Sequence, residues 1–225
     1  MLGANGKMCT LMADTPEGPF APSQFNFNLL AGQSAVHTYF TRFFPTPDGV
    51  LVNHHSQMRN GQVYFAPLKR AIVDAEGTLR LGWWEGNEVL KQDTVIIDNP
   101  QDVILDTTAG VIIEGTLILP KEDAPTGVWL GMNDGGRIEI LTNTQGIMQI
   151  CITGDNDGGV ITEETIDREM TFPETCSFRL LVKHSLVEFY LDDILMQCYS
   201  MPKNANGQLG ITGDIQNICA WQLPC

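Results

Sequence analysis

FRLLVKHSLVEFYLDDILMQCYSMPKNANGQLGITGDIQNICAW, residues 178–221, reads as strand, turn, strand, turn, strand, glycine-rich turn, strand. Val187, Phe189 and Leu191 alternate with Glu188, Tyr190 and Asp192. That period of two marks a strand with one face in a core and the other in water. Asp192-Asp193 supplies a tight turn, and Ile194 begins the return strand. The run predicts a β-sandwich at this end of the chain.

Outward from it, the same pattern continues back to Val103. Further strands are predicted over 103–105, 110–119, 127–132, 137–142, 147–153, 208–212 and 217–222, separated by turn signals such as Asp134-Gly135-Gly136, Asn143 to Gly146 and Asn206-Gly207. About ten short strands in this span are a sandwich signature. Glu163 to Met170 reads as a helical turn or a polar loop. Asp155-Asn156-Asp157-Gly158-Gly159 offers oxygens for calcium, but its glycines come too early for a calcium loop, and a hairpin turn is the better reading.

The N-terminal half is also strand-rich. Lys7 to Ala13 is a strand, and four more are expected over Val36 to Phe44, Val50 to Ser56, Gln62 to Pro67 and Thr78 to Trp84. Their spacing fits one four-stranded propeller blade, or half of a sandwich. Glu85 to Pro100 is a connecting segment holding one short strand, Thr94 to Ile97.

Charge separates the two halves. Residues 1–92 carry seven basic and seven acidic side chains, whereas 93–225 carry six and twenty, which accounts for the whole net charge of −14. Two units, 1–92 and 93–225, follow from that asymmetry. An excess of acid argues against nucleic acid and against an anionic membrane surface as partners. No apolar stretch approaches the ~20 residues of a membrane span, and the N-terminus lacks the pattern of a signal peptide. The six cysteines show no C-x-x-C pair and no zinc spacing, so Cys151 and Cys198, inside strand patterns, read as small buried hydrophobes.

The segments VIIEGTLILP, GVWLGMNDGGRIEILTN, FRLLVKHSLVEFYLDDILMQCYSMP and NGQLGITG with the closing AWQL carry a family resemblance. The C-terminal half resembles the concanavalin-like sandwich of glycoside hydrolases of family 32, the invertases, inulinases and levanases. KMCTLMADTPEGPF is similar to the strand and "GPF" turn of late propeller blades in families 32 and 43, and YFTRFFPTPDGVLVNHH with QVYFAPLKRAIVDAEGTLRLGWWEGNE resembles a last blade and its exit. The resemblance implies an all-β chain: a partial β-propeller, its last blade or blades, followed by a lectin-like β-sandwich. It also implies a carbohydrate partner of the fructan or sucrose kind. The family's three acidic motifs, W-x-N-D-P, R-D-P and E-C, are absent from the chain. Met132-Asn133-Asp134 is followed by glycine and lies in the sandwich, so no catalytic residue is assigned. A fragment or divergent member of such a hydrolase is expected, with a standalone carbohydrate-binding or structural sandwich as the alternative.

Trp83, Trp84 and Glu85 form the most site-like cluster, because aromatic faces stack on sugars and a carboxylate accepts from hydroxyls. The plainer reading is a pair of core tryptophans, and Trp129 and Trp221 have core-like settings. His54 could face a sugar. With its neighbour His55 it makes a poor metal pair, since adjacent strand residues point to opposite faces. Asp14, Glu17 and Glu88 are further acids near the blade-like part, with no spacing that suggests catalysis. No metal and no cofactor are expected. The open edges of an incomplete propeller favour pairing between copies.

Overall fold

The computed structural model describes residues 2–4, 7–22, 29–30, 38–57, 61–99, 104–120, 124–154 and 159–224. Asp155 to Gly158 of the expected hairpin turn lie outside these residues. The chain is all-β, with one short 3-10 helix, Glu85–Leu90, among the described residues. In chain order the strands are β1 (Leu2–Ala4), β2 (Lys7–Cys9), β3 (Leu11–Met12), β4 (Ala21–Pro22), β5 (Thr38–Thr46), β6 (Gly49–Gln57), β7 (Val63–Phe65), β8 (Lys69–Val73), β9 (Leu79–Trp83) and β10 (Gln92–Ile96). They continue as β11 (Val111–Ile118), β12 (Thr126–Met132), β13 (Arg137–Thr142), β14 (Ile147–Thr153), β15 (Val160–Asp167), β16 (Thr175–Lys183), β17 (Leu186–Leu191), β18 (Ile194–Ser200), β19 (Ala205–Thr212) and β20 (Asp214–Gln222). No helix among them is long and apolar enough to cross a membrane.

Two antiparallel layers make the sandwich. One runs β10-β20-β11-β16-β17-β18, the other β15-β14-β13-β12-β19. Alternation decides what lies between them. Val111, Ile113 and Leu117 of β11, Phe178, Leu180 and Val182 of β16, and Val187, Phe189 and Leu191 of β17 meet Val128, Leu130, Ile138, Ile140, Met148 and Ile150 of the facing layer. Each such side chain contributes roughly 1.5–3 kcal/mol when fully buried. The β17–β18 hairpin closes on Asp192 and Asp193, with φ of 42° and 63°. Two consecutive residues in the left-handed region give the turn whose twist suits a hairpin, and aspartate tolerates that region better than most residues.

The layer containing β17 continues through β9, β8 and β6 to β5, with β7 paired to the end of β6. The junction is narrow: β18 and β9 share one residue pair, Ile194 opposite Gly82. Four strand spacings separate β17 from β6 in this order, which is about 19 Å in a flat sheet. Yet His54 on β6 lies 3.1 Å from Glu188 on β17. The β5–β9 meander therefore folds back across the outer face of the sandwich layer. There Val52, Leu81 and Trp83 pack on Ile112, Leu181, Tyr190 and Leu195 as a second core.

This fold-back corrects the reading of β17 as half-exposed: all six of its residues are buried. Three further differences have local causes. Glu163 to Met170 is neither helix nor loop through Asp167; it belongs to β15, an edge strand whose side chains are mostly exposed and so carry no apolar period. The strand expected over Gln62 to Pro67 is only three residues long, and Lys69–Val73, outside the expected strands, is the full strand that joins β6 to β9. Asn206-Gly207 is not a turn between strands but part of β19, beside a register shift in its pairing with β12. Gly207 has a φ of +89°, and a Cβ there would lie 2.2 Å from the Leu105 carbonyl oxygen, so only glycine fits this bulge.

Candidate functional site

Trp83 ends β9, Trp84 links it to the 3-10 helix, and Glu85 opens that helix. The strand end is pinned by Trp83 N–H donating to the Asp193 carbonyl at 2.8 Å. The helix is pinned by the Asn87 amide donating to the Leu68 carbonyl at 2.6 Å. Successive side chains therefore diverge. Trp83 points into the second core at 6% exposure, edge-on to Tyr190 at 5.4 Å between centroids. Its indole N–H donates to Glu88 at 2.9 Å, and the Arg179 guanidinium lies 4.3 Å over its ring. Trp84 is half-buried and lies back over Gly86, where an added Cβ would meet its ring at 2.3 Å.

The polar groups around this turn form an ion-pair ridge. Arg179 pairs with Glu114 at 2.5 Å and with Asp193, and lies 3.7 Å from Glu88. Lys91 pairs with Glu88 at 2.6 Å and Glu114 at 2.8 Å, and its ammonium sits 4.5 Å over the Trp221 ring. Glu85 pairs with Arg70. The hydrogen bond from its own backbone N–H, with Arg70, holds Glu85 below the usual carboxylate range. Partial burial works against the charge of Glu88, but Lys91, the Trp83 indole N–H and Arg179 together lower its pKa. A glycosidic general acid needs the opposite shift, because it must hold a proton near neutrality. Both glutamates are shifted the other way. Asp14 and Glu17 are exposed on the loop after β3.

His54 is not near this ridge. It is fully buried, and its imidazole faces Glu188 rather than solvent. Lys69 donates to both Glu188 oxygens at 2.9 and 3.0 Å and to the Pro67 carbonyl at 3.0 Å. The Tyr190 hydroxyl donates to Glu188 at 2.8 Å. Lys69, His54, Glu188 and Tyr190 all have zero or near-zero exposure. Burial opposes the Glu188 charge, but Lys69 and His54 outweigh it and lower its pKa to about 2. Burial, reinforced by Lys69, lowers the pKa of His54, so the imidazole is neutral at physiological pH. The Tyr190 phenol is pushed up by burial and by Glu188. His54, Glu188 and Cys198 lie close enough to suggest metal ligands. The Lys69 ammonium already sits on both carboxylate oxygens, so the trio is an ion-pair core and not an open cation site.

The sequence brought Trp83, Trp84 and Glu85 to one turn, and the structure keeps them there. His54 is connected to Trp83 through the buried relay His54–Glu188–Tyr190. Lys69 and Glu188 were not singled out beforehand, since a lysine opening a short strand and a glutamate on a strand's polar face both read as solvated. Trp129 lies half-buried on the outer face of β12, its ring over Gly210 and near Arg137, and is not a core residue.

No protein-family model matches the chain, and no curated protein does. Solved structures do. The chain is similar to a sucrose-6-phosphate hydrolase from Lactobacillus gasseri, with a TM-score of 0.61 and 16% identity over 91% of this chain and 44% of that one. The likeness is one of fold. A second match is a β-fructofuranosidase from Aspergillus kawachii complexed with glycerol, with a TM-score of 0.54 and 9% identity over 95% of this chain and 49% of that one. A carbohydrate binding module from Bacillus subtilis is also matched, at a TM-score of 0.35 and 9% identity over 81% of this chain and 88% of that one. The chain spans about half the length of the two hydrolases it matches.

Proposed function

We propose that this chain is a non-catalytic, carbohydrate-holding part of a fructoside hydrolase of the family 32 type. On this reading residues 1–92 are the end of a propeller and 93–225 the sandwich that buttresses it. The observation that carries the proposal is the match of nine-tenths of the chain to less than half of a sucrose-6-phosphate hydrolase. The chemistry supports the non-catalytic part. Two glycosidic carboxylates need opposite protonation states across one sugar, whereas Glu85 and Glu88 are both ion-paired and lowered in pKa.

Incubation of the purified chain with sucrose, inulin and levan tests this directly. No fructose release is expected, and turnover above a protein-free control would refute it. A glycan array tests the carbohydrate-holding part: retention of fructosides is expected, and a flat array would leave only the buttressing role. Self-association is a further part of the reading, supported by the edge positions of β5 and β15 and by the exposed Val160 and Ile161 on β15. A monomer by light scattering at all concentrations would remove it.

A further inference from the structure

We propose that the loop end of the sandwich carries a binding site for a neutral sugar residue. The site is a cup of about 250 Å³ walled by Asp106, Thr108, Asn133, His184 and Asn204, with the Tyr64 ring 5.9 Å from that of His184. It rests on the reading that the chain holds carbohydrate, and it gives that function a place away from Trp83 and Trp84.

Four connections far apart in sequence build the cup: the segment before β11, the β12–β13 turn, the β16–β17 turn and the loop from β18 to β19. Their backbones are tied to one another. Asn133 N–H donates to the Asn204 carbonyl at 3.0 Å, His184 N–H to the Thr107 carbonyl at 2.8 Å, and Ala205 N–H to the His184 carbonyl at 2.9 Å. The Thr107 hydroxyl, buried beneath, donates to the Ala205 carbonyl at 3.1 Å. With the main chain cross-linked, the side chains are spare. Asp106 uses Oδ1 for the Thr108 and Ala109 amides, at 2.9 and 3.4 Å, and keeps Oδ2 free. Among the described residues the side-chain amides of Asn133 and Asn204 and the ring nitrogens of His184 make no hydrogen bond. Two amides, each a donor and an acceptor, beside a carboxylate oxygen match the paired hydroxyls of a sugar ring. No lysine or arginine lines the cup. Within the cup a phosphorylated or acidic sugar unit would meet Asp106 without a compensating cation, since Lys183 lines only the adjoining cleft, so the unit held in the cup is neutral.

The aromatic side is adjacent. Tyr64 lies 5.9 Å from the His184 ring, tilted by 43°. Next to it opens a more apolar cleft of about 230 Å³, lined by Tyr64, Phe65, Lys183 and Leu186 among others. Phe65 is 69% exposed, and its neighbour His55 meets it edge-on at 4.6 Å. A large aromatic left in water beside a polar cup suits a ligand with hydroxyls at one end and an apolar ring face at the other. The geometry fits an oligosaccharide with one residue in the cup and the next on Tyr64 and Phe65.

The test is calorimetric and NMR titration of the full chain with 1-kestose, xylotriose and sucrose 6-phosphate. Asn204→Ala, Tyr64→Ala, Trp84→Ala and the control Phe44→Ala are compared, each with an unchanged backbone amide spectrum. Asn204→Ala keeps the carbonyl that Asn133 uses, so the loop tie survives. At least one neutral trisaccharide is expected to bind and to shift the Asn133 and Asn204 side-chain amides. Asn204→Ala and Tyr64→Ala should each weaken it tenfold or more, and Phe44→Ala should leave it unchanged. Binding abolished by Trp84→Ala but untouched by Asn204→Ala and Tyr64→Ala would overturn the cup and leave the carbohydrate reading standing. Preference for sucrose 6-phosphate would overturn the neutral class. No binding of any of the three sugars would sink the cup and the carbohydrate reading together.

Discussion

Replacing Lys69 with methionine should cost this protein a large share of its stability, and the reason is Glu188. Lys69 and Glu188 are both fully buried, and the lysine makes two of the hydrogen bonds that keep the carboxylate charged. A methionine side chain in its place would fill a similar volume and leave that charge without its cation. Breaking one side of a buried pair typically costs about 3–5 kcal/mol. The acid side gives a similar figure. A carboxyl lowered from 4.5 to about 2 stabilises the fold by about 3 kcal/mol at neutral pH, at 1.36 kcal/mol per pH unit. Because the folded value is the depressed one, that stability is present above pH 4.5 and disappears as pH falls toward 2. His54 adds in the same direction, since its lowered pKa means that protons below pH 6.5 favour the unfolded chain. Urea unfolding followed by tryptophan fluorescence, at about pH 7 and pH 4.5, measures both effects. Lys69→Met should lose about 3–5 kcal/mol near neutrality. Lys69→Met with Glu188→Leu should lose clearly less, because no lone charge remains. A single variant within about 1 kcal/mol of wild type, or a double variant as unstable as the single, would refute the reasoning.

Other consequences follow from the same structure. Arg179→Ala removes pairs to Glu114 and Asp193 and the cation over Trp83, and should cost about 1–2 kcal/mol with a red shift in tryptophan emission, read by thermal melting and fluorescence. Gly127→Ala would place a Cβ 1.9 Å from the Ile140 carbonyl oxygen within the β12–β13 pairing, so a loss of about 3 kcal/mol or an insoluble product is expected on expression and melting. Burial, with the nearby Asp192, pushes the Cys176 thiol up to about 12, and burial with Glu188 raises Cys198 further still. Neither should be alkylated by iodoacetamide at about pH 8 in the folded protein and both should be in urea, as peptide mass spectrometry would show.

Legibility in the sequence followed the distance of the partner. The β17–β18 hairpin was readable because its alternation and its Asp192-Asp193 turn are local. The inward choice of Trp83 over Trp84 was not, since alternation says only that the two diverge. Glu188 defeated the pattern entirely. Its partners His54 and Lys69 lie 134 and 119 residues away, and only the fold-back of the meander turns a polar strand face into a buried one. β15 escaped for the opposite reason: an edge strand exposed along most of its length needs no apolar period. The cup escaped because Asn133, His184 and Asn204 each read as an ordinary turn residue, and meet only where four loops converge.

One incubation tests the central claim most directly: the purified chain with 1-kestose, followed by NMR over a day. Saturable shifts in the protein amides with no free fructose are the expected result. Fructose accumulating above a protein-free control would contradict it.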